Sequence, residues 1–158
     1  MLIMGIDPGL RFTGYGVIRF ESGRLSHVAN GTIRISEKLP MAKRLAAIHK
    51  GLCEAIEKHH PREVALEETF VNMNPSSTLK LGQARGVAML IPGLYDVPVF
   101  EYSPNLVKKS LVGTGHAKKG QIEMMIGVLL GKPQIDSEHS ADALAVAICH
   151  AHNGNAPK

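Results

Sequence analysis

Tryptophan is missing from this chain, and only three tyrosines and four phenylalanines occur among its 158 residues. With so few aromatics the core must be aliphatic, and an aromatic in a loop becomes conspicuous. Cysteine is nearly as scarce: Cys53 and Cys149 stand far apart, with no C-x-x-C partner. That spacing excludes a disulfide framework and predicts reduced core thiols in a cytoplasmic protein. Long apolar runs are lacking too. The stretch Ala143–Cys149 falls well short of the roughly 20 residues that span a bilayer, so no membrane partner is expected. Met1-Leu2-Ile3-Met4-Gly5 has neither the basic flank nor the length of a secretory leader. No repeat, low-complexity tract or linker divides the chain, which predicts one domain over 1–152 and a frayed tail over 153–158.

What is present suits a globular protein: 44% hydrophobic residues, 20% charged and a formal net charge of +4. The positive excess favours an anionic partner without choosing one. Leu2–Ile6 reads as a buried strand ending at the turn Asp7-Pro8-Gly9. Gly14–Phe20 and Arg24–Ile35 follow as strands joined at Ser22-Gly23, with Asn30-Gly31 as a bulge or a further turn. Met41, Leu45, Ile48, Leu52 and Ile56 recur at helical spacing up to His59-His60-Pro61. Val64–Leu66 is a fourth strand. Ser76 or Ser77 caps a second helix toward Leu90, in which Gly82 and Gly86 suit close approach of another element. Val97–Tyr102 is a fifth strand. Ile122, Met125, Ile126 and Leu129 mark a helix, and Leu144, Ile148 and Ala151 mark the last. The order predicts an α/β fold: a five-stranded mixed sheet, antiparallel first and then parallel, flanked by helices.

The polar residues of interest fall at element ends. Asp7 closes the first strand and Glu67 the fourth, and ligands gather at the carboxyl ends of parallel strands. Either acid alone is an ordinary turn residue; together they suggest a shared site. Glu138-His139-Ser140-Ala141-Asp142 opens the last helix, where His139 and Asp142, three apart, share a face. The competing reading has Asp136 or Ser137 capping that helix, with His139 and Asp142 merely solvated. Carboxylates with room for a phosphate suit a hard divalent cation such as Mg²⁺. His59-His60 and Cys149-His150-Ala151-His152 read as helix ends rather than metal sites.

Four blocks carry a more specific likeness. Met4-Gly5-Ile6-Asp7-Pro8-Gly9 with Thr13-Gly14-Tyr15-Gly16 comes first. Ala65-Leu66-Glu67-Glu68 with Phe70 and Leu81-Gly82-Gln83-Ala84-Arg85-Gly86 is second. Tyr102–Lys109 with Val112-Gly113-Thr114-Gly115 and Lys119-Gly120-Gln121 is third, and Ala141-Asp142-Ala143-Leu144-Ala145 with Cys149-His150 is last. In this order the chain resembles the RuvC family of Holliday-junction resolvases. The resemblance implies an RNase H-like nuclease, a homodimer that makes paired, symmetric cuts in four-way junction DNA during recombination and repair. It implies two Mg²⁺ per site with Mn²⁺ able to substitute, and delivery by a branch-migration helicase. It implies that Asp7, Glu67, Asp142 and His139 are the metal-binding catalytic set. His139 stands where many members carry Asp, which leaves direct ligation and proton transfer both open. Lys108 and Lys119 fall at DNA-binding positions, Phe70 at a base-stacking wedge or a core anchor, and Arg85 at a phosphate contact or the dimer interface. Two other readings compete: a phosphotransferase of the actin and sugar-kinase type, suggested by Asp7-x-Gly9 with Thr13-Gly14, and a DNA-binding module without catalysis.

Overall fold

The computed structural model describes residues 1–69 and 74–154. Five strands form one sheet in the order β3-β2-β1-β4-β5. These are β1 (Leu2–Asp7), β2 (Phe12–Glu21), β3 (Arg24–Arg34), β4 (Glu63–Glu67) and β5 (Val99–Tyr102). The first three pair antiparallel, whereas β4 runs parallel to β1 and β5 parallel to β4. The mixed sheet matches the sequence reading. The helices are α1 (Met41–His59), α2 (Pro75–Leu94), α3 (Pro104–Val112), α4 (Lys119–Leu130) and α5 (Glu138–Asn153). No helix among the described residues is long and apolar enough to cross a membrane.

Period-2 alternation sends side chains to two cores. Met4, Ile6, Val17, Val64 and Leu66 pack with α1 and α2 on one face. Ile3, Ile18 and Ala65 pack with α3, α4 and α5 on the other. The central strands are thus covered on both sides, which is why β1 and β4 read as unbroken apolar runs.

On the α5 face, Gly5 and Gly14 matter because they have no Cβ. A Cβ at Gly5 would overlap the carbonyl of Ala143, and one at Gly14 would overlap the carbonyl of His139. One at Gly16 would meet Leu144 Cγ at 2.6 Å. The backbone of α5 therefore lies in a shallow trough across β1 and β2. Enclosed by the sheet on one side and by α3 and α4 on the other, α5 buries every residue from Ala143 to Ala151.

Several details depart from expectation. α3 was not anticipated, although Ser103 caps it by accepting from Leu106 N (3.3 Å), Pro104 opens it and Gly113 ends it. The β2–β3 irregularity falls where Val17 pairs with Ala29 and Ile18 with His27, while Asn30-Gly31 keeps regular pairing. Asn30 instead anchors the approach to α5: its Nδ2 donates to Gln134 O (2.9 Å) and its Oδ1 accepts from Asp136 N (2.8 Å). Asn74, not Ser76 or Ser77, caps α2, its Oδ1 accepting from both serine amides at 3.1 and 3.3 Å. Nothing among the described residues lies within 4 Å of where a Cβ would stand on Gly82 or Gly86, so no described element uses the close approach they permit. Both cysteines are free; Cys149 is buried as expected, whereas Cys53 is only half-buried. Asn153 belongs to α5, and residues 155–158 of the expected tail lie outside the described residues.

Candidate active site

Asp7 and Glu67 end neighbouring parallel strands, one register step beyond the Ile6–Leu66 pair. Each lies an even number of residues from its strand's α5-facing positions (Ile3 and Gly5; Ala65), so alternation turns both carboxylates toward α5. Ser137 caps α5, its Oγ accepting from Ser140 N (3.2 Å) while Ser140 Oγ accepts from Ser137 N (2.9 Å). Asp136 is held elsewhere, 3.2 Å from the Arg34 guanidinium on β3. The first two turns of α5 then bring Asp142 to the same cavity as Asp7 and Glu67, and place His139 Nδ1 3.0 Å from Asp7 Oδ2.

The cavity holds about 310 Å³. Asp7, Glu67 and Asp142 share it with Lys108 of α3 and with Lys119 and Glu123 of α4, against an apolar back wall that includes Ile126. Burial pushes the Asp7 carboxyl up to about 6; the His139 hydrogen bond opposes this and the Asp142 charge adds to it. Glu67 is pushed up to about 7 by burial, then by Asp7 and Asp142, with Lys108 opposing. Asp142 is raised as well, chiefly by burial, while Lys119 and His139 pull it back. Three acids thus crowd a poorly hydrated space with too little positive charge to balance them.

That electrostatic deficit fits a divalent cation, and the donors are of the hard-oxygen type with one imidazole. Among the described residues no three such groups already close around an ion-sized space. The acids form an open rim, as suits a cation that keeps waters and shares a phosphate.

The structure brings Asp7, Glu67, Asp142, Lys108 and Lys119 to one cavity, whereas His139 does not line it and reaches it through its contact with Asp7. Lys119 Nζ lies 2.6 Å from Glu138 Oε2, so it is held at the rim by its neighbour on α5. Arg85 points inward: its guanidinium lies 2.5 Å from Glu101 Oε1 and 3.3 Å from Glu67 O, with its side chain only 15% exposed. It braces the end of β4, and a phosphate contact would require that pair to open. Phe70 lies outside the described residues.

Sequence reasoning missed two residues. Glu123 stands one turn after Lys119 and was hidden among the apolar positions that mark α4. His150, read as part of a helix end, is 1% exposed. Its Nε2 lies 2.5 Å from Glu63 Oε2 and its Nδ1 2.5 Å from the Tyr102 hydroxyl, tying α5 to β4 and β5. Its only signal in the sequence was its place in the last block of the family likeness, since Glu63 and Tyr102 are far from it along the chain.

Comparison with known proteins agrees with this geometry. The family profile described as "Crossover junction endodeoxyribonuclease RuvC" matches residues 3–150. The chain is 61% identical over 151 residues to the protein of that name from Azorhizobium caulinodans, covering 96% of this chain and 89% of that one. It is 57% identical over 154 residues to the one from Xanthobacter autotrophicus, covering 98% and 91%. Among solved structures, Thermus thermophilus RuvC in complex with Holliday junction substrate superposes with a TM-score of 0.89 at 33% identity, covering 96% of this chain and 93% of the other. The yeast mitochondrial Holliday junction resolvase Ydc2 shares the fold at a TM-score of 0.65 and 15% identity, over 94% and 77%. With the RNase H-like fold, the acids at the ends of β1, β4 and the start of α5, and a profile match running almost from end to end, this chain belongs to the RuvC family of crossover junction endodeoxyribonucleases.

Proposed function

We propose that this cavity hydrolyses phosphodiester bonds at four-way DNA junctions, with Asp7, Glu67, Asp142 and His139 holding divalent metal and Lys108 and Lys119 meeting the DNA backbone. The observation that carries the reading is the convergence of three carboxylates, from two strand ends and one helix start, on a cavity that two lysines also line. A metal pair held there by these residues would supply activation of a water and charge stabilisation for the leaving oxygen. The chain's own part is to present oxygen donors, to exclude bulk water with the α3–α4 wall, and to fix the phosphate between two ammonium groups.

Mg²⁺ is proposed as the working ion, at two per site, with Mn²⁺ substituting. The imidazole at 139 favours Mn²⁺ more than a fourth carboxylate would, so His139→Asp should move the preference toward Mg²⁺. The actin-type phosphotransferase is disfavoured, since that machinery closes over nucleotide with two such domains and this chain folds as one sheet.

We further propose a homodimer formed through α2. Leu79, Leu90 and Leu94 are 68%, 54% and 63% exposed. Together with Gly82 and Gly86 they recur at steps of three and four residues, making one apolar stripe of low relief. A second copy seated on that stripe would give two cavities for two strands. Delivery of the junction by a branch-migration helicase rests on family resemblance alone, and a cytoplasmic location on two unpaired thiols.

The test is a synthetic four-way junction incubated with Mg²⁺ or Mn²⁺ beside a linear duplex of the same sequence. Symmetric nicks in opposed strands of the junction, lost by more than about 100-fold in Asp7→Asn, Glu67→Gln and Asp142→Asn, are expected. Equal cutting of the duplex, or a near-normal rate in any of these variants, would overturn the assignment. Phe70→Ala tests the wedge reading: it should slow a fully paired junction more than one with unpaired bases at the crossover.

A further inference from the structure

His139 does not stand alone on its exposed side. The Phe12 ring lies against its imidazole with centroids 5.2 Å apart and planes 17° from parallel. On the next level, Arg11 Cζ lies 5.6 Å from the Phe12 centroid, and Arg11 Nε is 3.1 Å from Glu37 Oε1. A ladder therefore runs from the surface to the cavity: carboxylate, guanidinium, phenyl ring, imidazole, and the Asp7 carboxylate.

The Phe12 backbone is held independently of this stack. It pairs with Arg34 at the start of β2. The next residue, Thr13, is fully buried; its Oγ1 donates to Gly9 O (2.8 Å) and accepts from Gly9 N (3.2 Å), clasping the turn that leads out of Asp7. The backbone that carries the phenyl ring is thus held by the same turn that leads out of Asp7.

The imidazole needs such a guide because it has two acidic neighbours. Nδ1 is 3.0 Å from Asp7 Oδ2, while Nε2 is 3.7 Å from Glu138 Oε1. The His139 side chain is 30% exposed and that of Glu138 59%. Rotation about the Cβ–Cγ bond would let the ring abandon Asp7 for Glu138. A ring stacked on one face disfavours rotation out of the observed plane, since aromatic pairs prefer such offset-parallel contact, and within that plane the Nδ1 contact with Asp7 selects between the two flipped forms.

We propose that Phe12 is a positioning residue of the metal site: its ring holds the His139 imidazole in the orientation that meets Asp7 and keeps Nε2 available to an ion. This rests on the metal-binding reading of the cavity above. A stacked ring contributes enough to shift an orientational equilibrium by about three- to tenfold, and the effect of losing it should be of that size.

The experiment compares wild type, Phe12→Leu and Phe12→Tyr, all as the full chain. In the metal-free protein, NMR should find the His139 ring protons, assigned by their loss in His139→Gln, shifted upfield by the phenyl ring current. The shift should vanish in Phe12→Leu and persist in Phe12→Tyr. Mn²⁺ binding without DNA, read by the paramagnetic resonance of free Mn²⁺, should weaken three- to tenfold in Phe12→Leu and stay within about twofold of wild type in Phe12→Tyr. Single-turnover cleavage at subsaturating Mn²⁺ should fall by the same factor and recover at saturation, with junction affinity in EDTA unchanged.

Wild-type His139 protons without an upfield shift would overturn the proposal, even if Phe12→Leu failed to fold. So would unaltered Mn²⁺ affinity in a folded Phe12→Leu, or a loss of junction affinity in EDTA matching the loss of rate. Failure of the metal-site reading itself would look different: Asp142→Asn would then bind Mn²⁺ and cut like wild type whatever Phe12 does.

Discussion

α5 and α2 are both helices sprinkled with small residues, yet they occupy opposite situations. α5 carries five alanines and rests on glycines that belong to the sheet, so its close approach is completed within the chain. α2 carries its own glycines, which meet nothing among the described residues, and the leucines beside them are exposed. Small residues in sequence therefore do not say whether they meet a partner at home or await one outside. Only the topology decides, by showing what stands across from them.

The largest effect expected from this contrast is at Gly14. Its neighbour is helix backbone, which cannot rotate away as a side chain could, so Gly14→Val should cost about 3 kcal/mol or more and remove Asp142 and His139 from register. Denaturant midpoints and cleavage should fail together. Gly82→Ala, by contrast, should leave the isolated subunit as stable or up to about 1 kcal/mol more so, since alanine favours helix and meets no obstruction. Equal losses at the two positions would erase the distinction.

A second test uses the charge that α5 closes over. Folding raises the Asp7 and Glu67 carboxyls to about 6 and about 7. Stability linked to them is fully present below the ordinary carboxylate range and is lost as pH rises through 6 and 7. Metal-free protein should therefore melt at lower temperature at pH 8 than at pH 5. Asp7→Asn should flatten part of that slope, and added Mn²⁺ should stabilise most at the alkaline end, where its ligands are deprotonated. Calorimetry across that range decides it; a melting temperature rising with pH between 5 and 8 would contradict the assigned origin of the shifts. No α2 variant should alter the slope.

A smaller change is expected on the open helix. Leu90→Glu should shift sedimentation toward the monomer while changing subunit stability by no more than about 0.5 kcal/mol. An unchanged oligomeric state would remove α2 as the interface. Smallest of all, Lys119→Ala at the mouth beneath α5 should reduce the salt dependence of junction binding by about 0.9 in log–log slope, read by titration at several salt concentrations.

Much of this was legible in the residues. The buried runs of β1 and β4 and the helical period of α1 are strong patterns because both faces of the central strands, and one face of α1, are covered. Asp7, Glu67 and Asp142 could be nominated because strand ends and helix starts are where a sheet collects ligands. α3 escaped because nine residues offer little periodicity, although its Ser-Pro start and Gly end were in plain view. The inward pairing of Arg85 and the buried place of His150 escaped for another reason. Their partners, Glu101 and Glu67 for one, Glu63 and Tyr102 for the other, lie 16 to 87 residues away, and no local pattern announces them. The stack of Phe12 on His139 is of the same kind, crossing almost the whole chain to join two residues that look ordinary apart.

The trough that seats α5 has a consequence for the order in which the protein comes into being. Asp7 and Glu67 come from the first and fourth strands, whereas the helix bringing Asp142 and His139 follows every other described element, and it supplies much of the core on its side of the sheet. Until it docks, the glycine-lined face of β1 and β2 stands bare and the acids have no cavity. A chain stopped before Glu138 should give neither a cooperative melting transition nor DNA cleavage; either one in such a truncation would show that the earlier elements suffice. The candidate site is therefore complete only once α5 has docked, so a chain that lacks α5 holds Asp7 and Glu67 without the two residues that would join them.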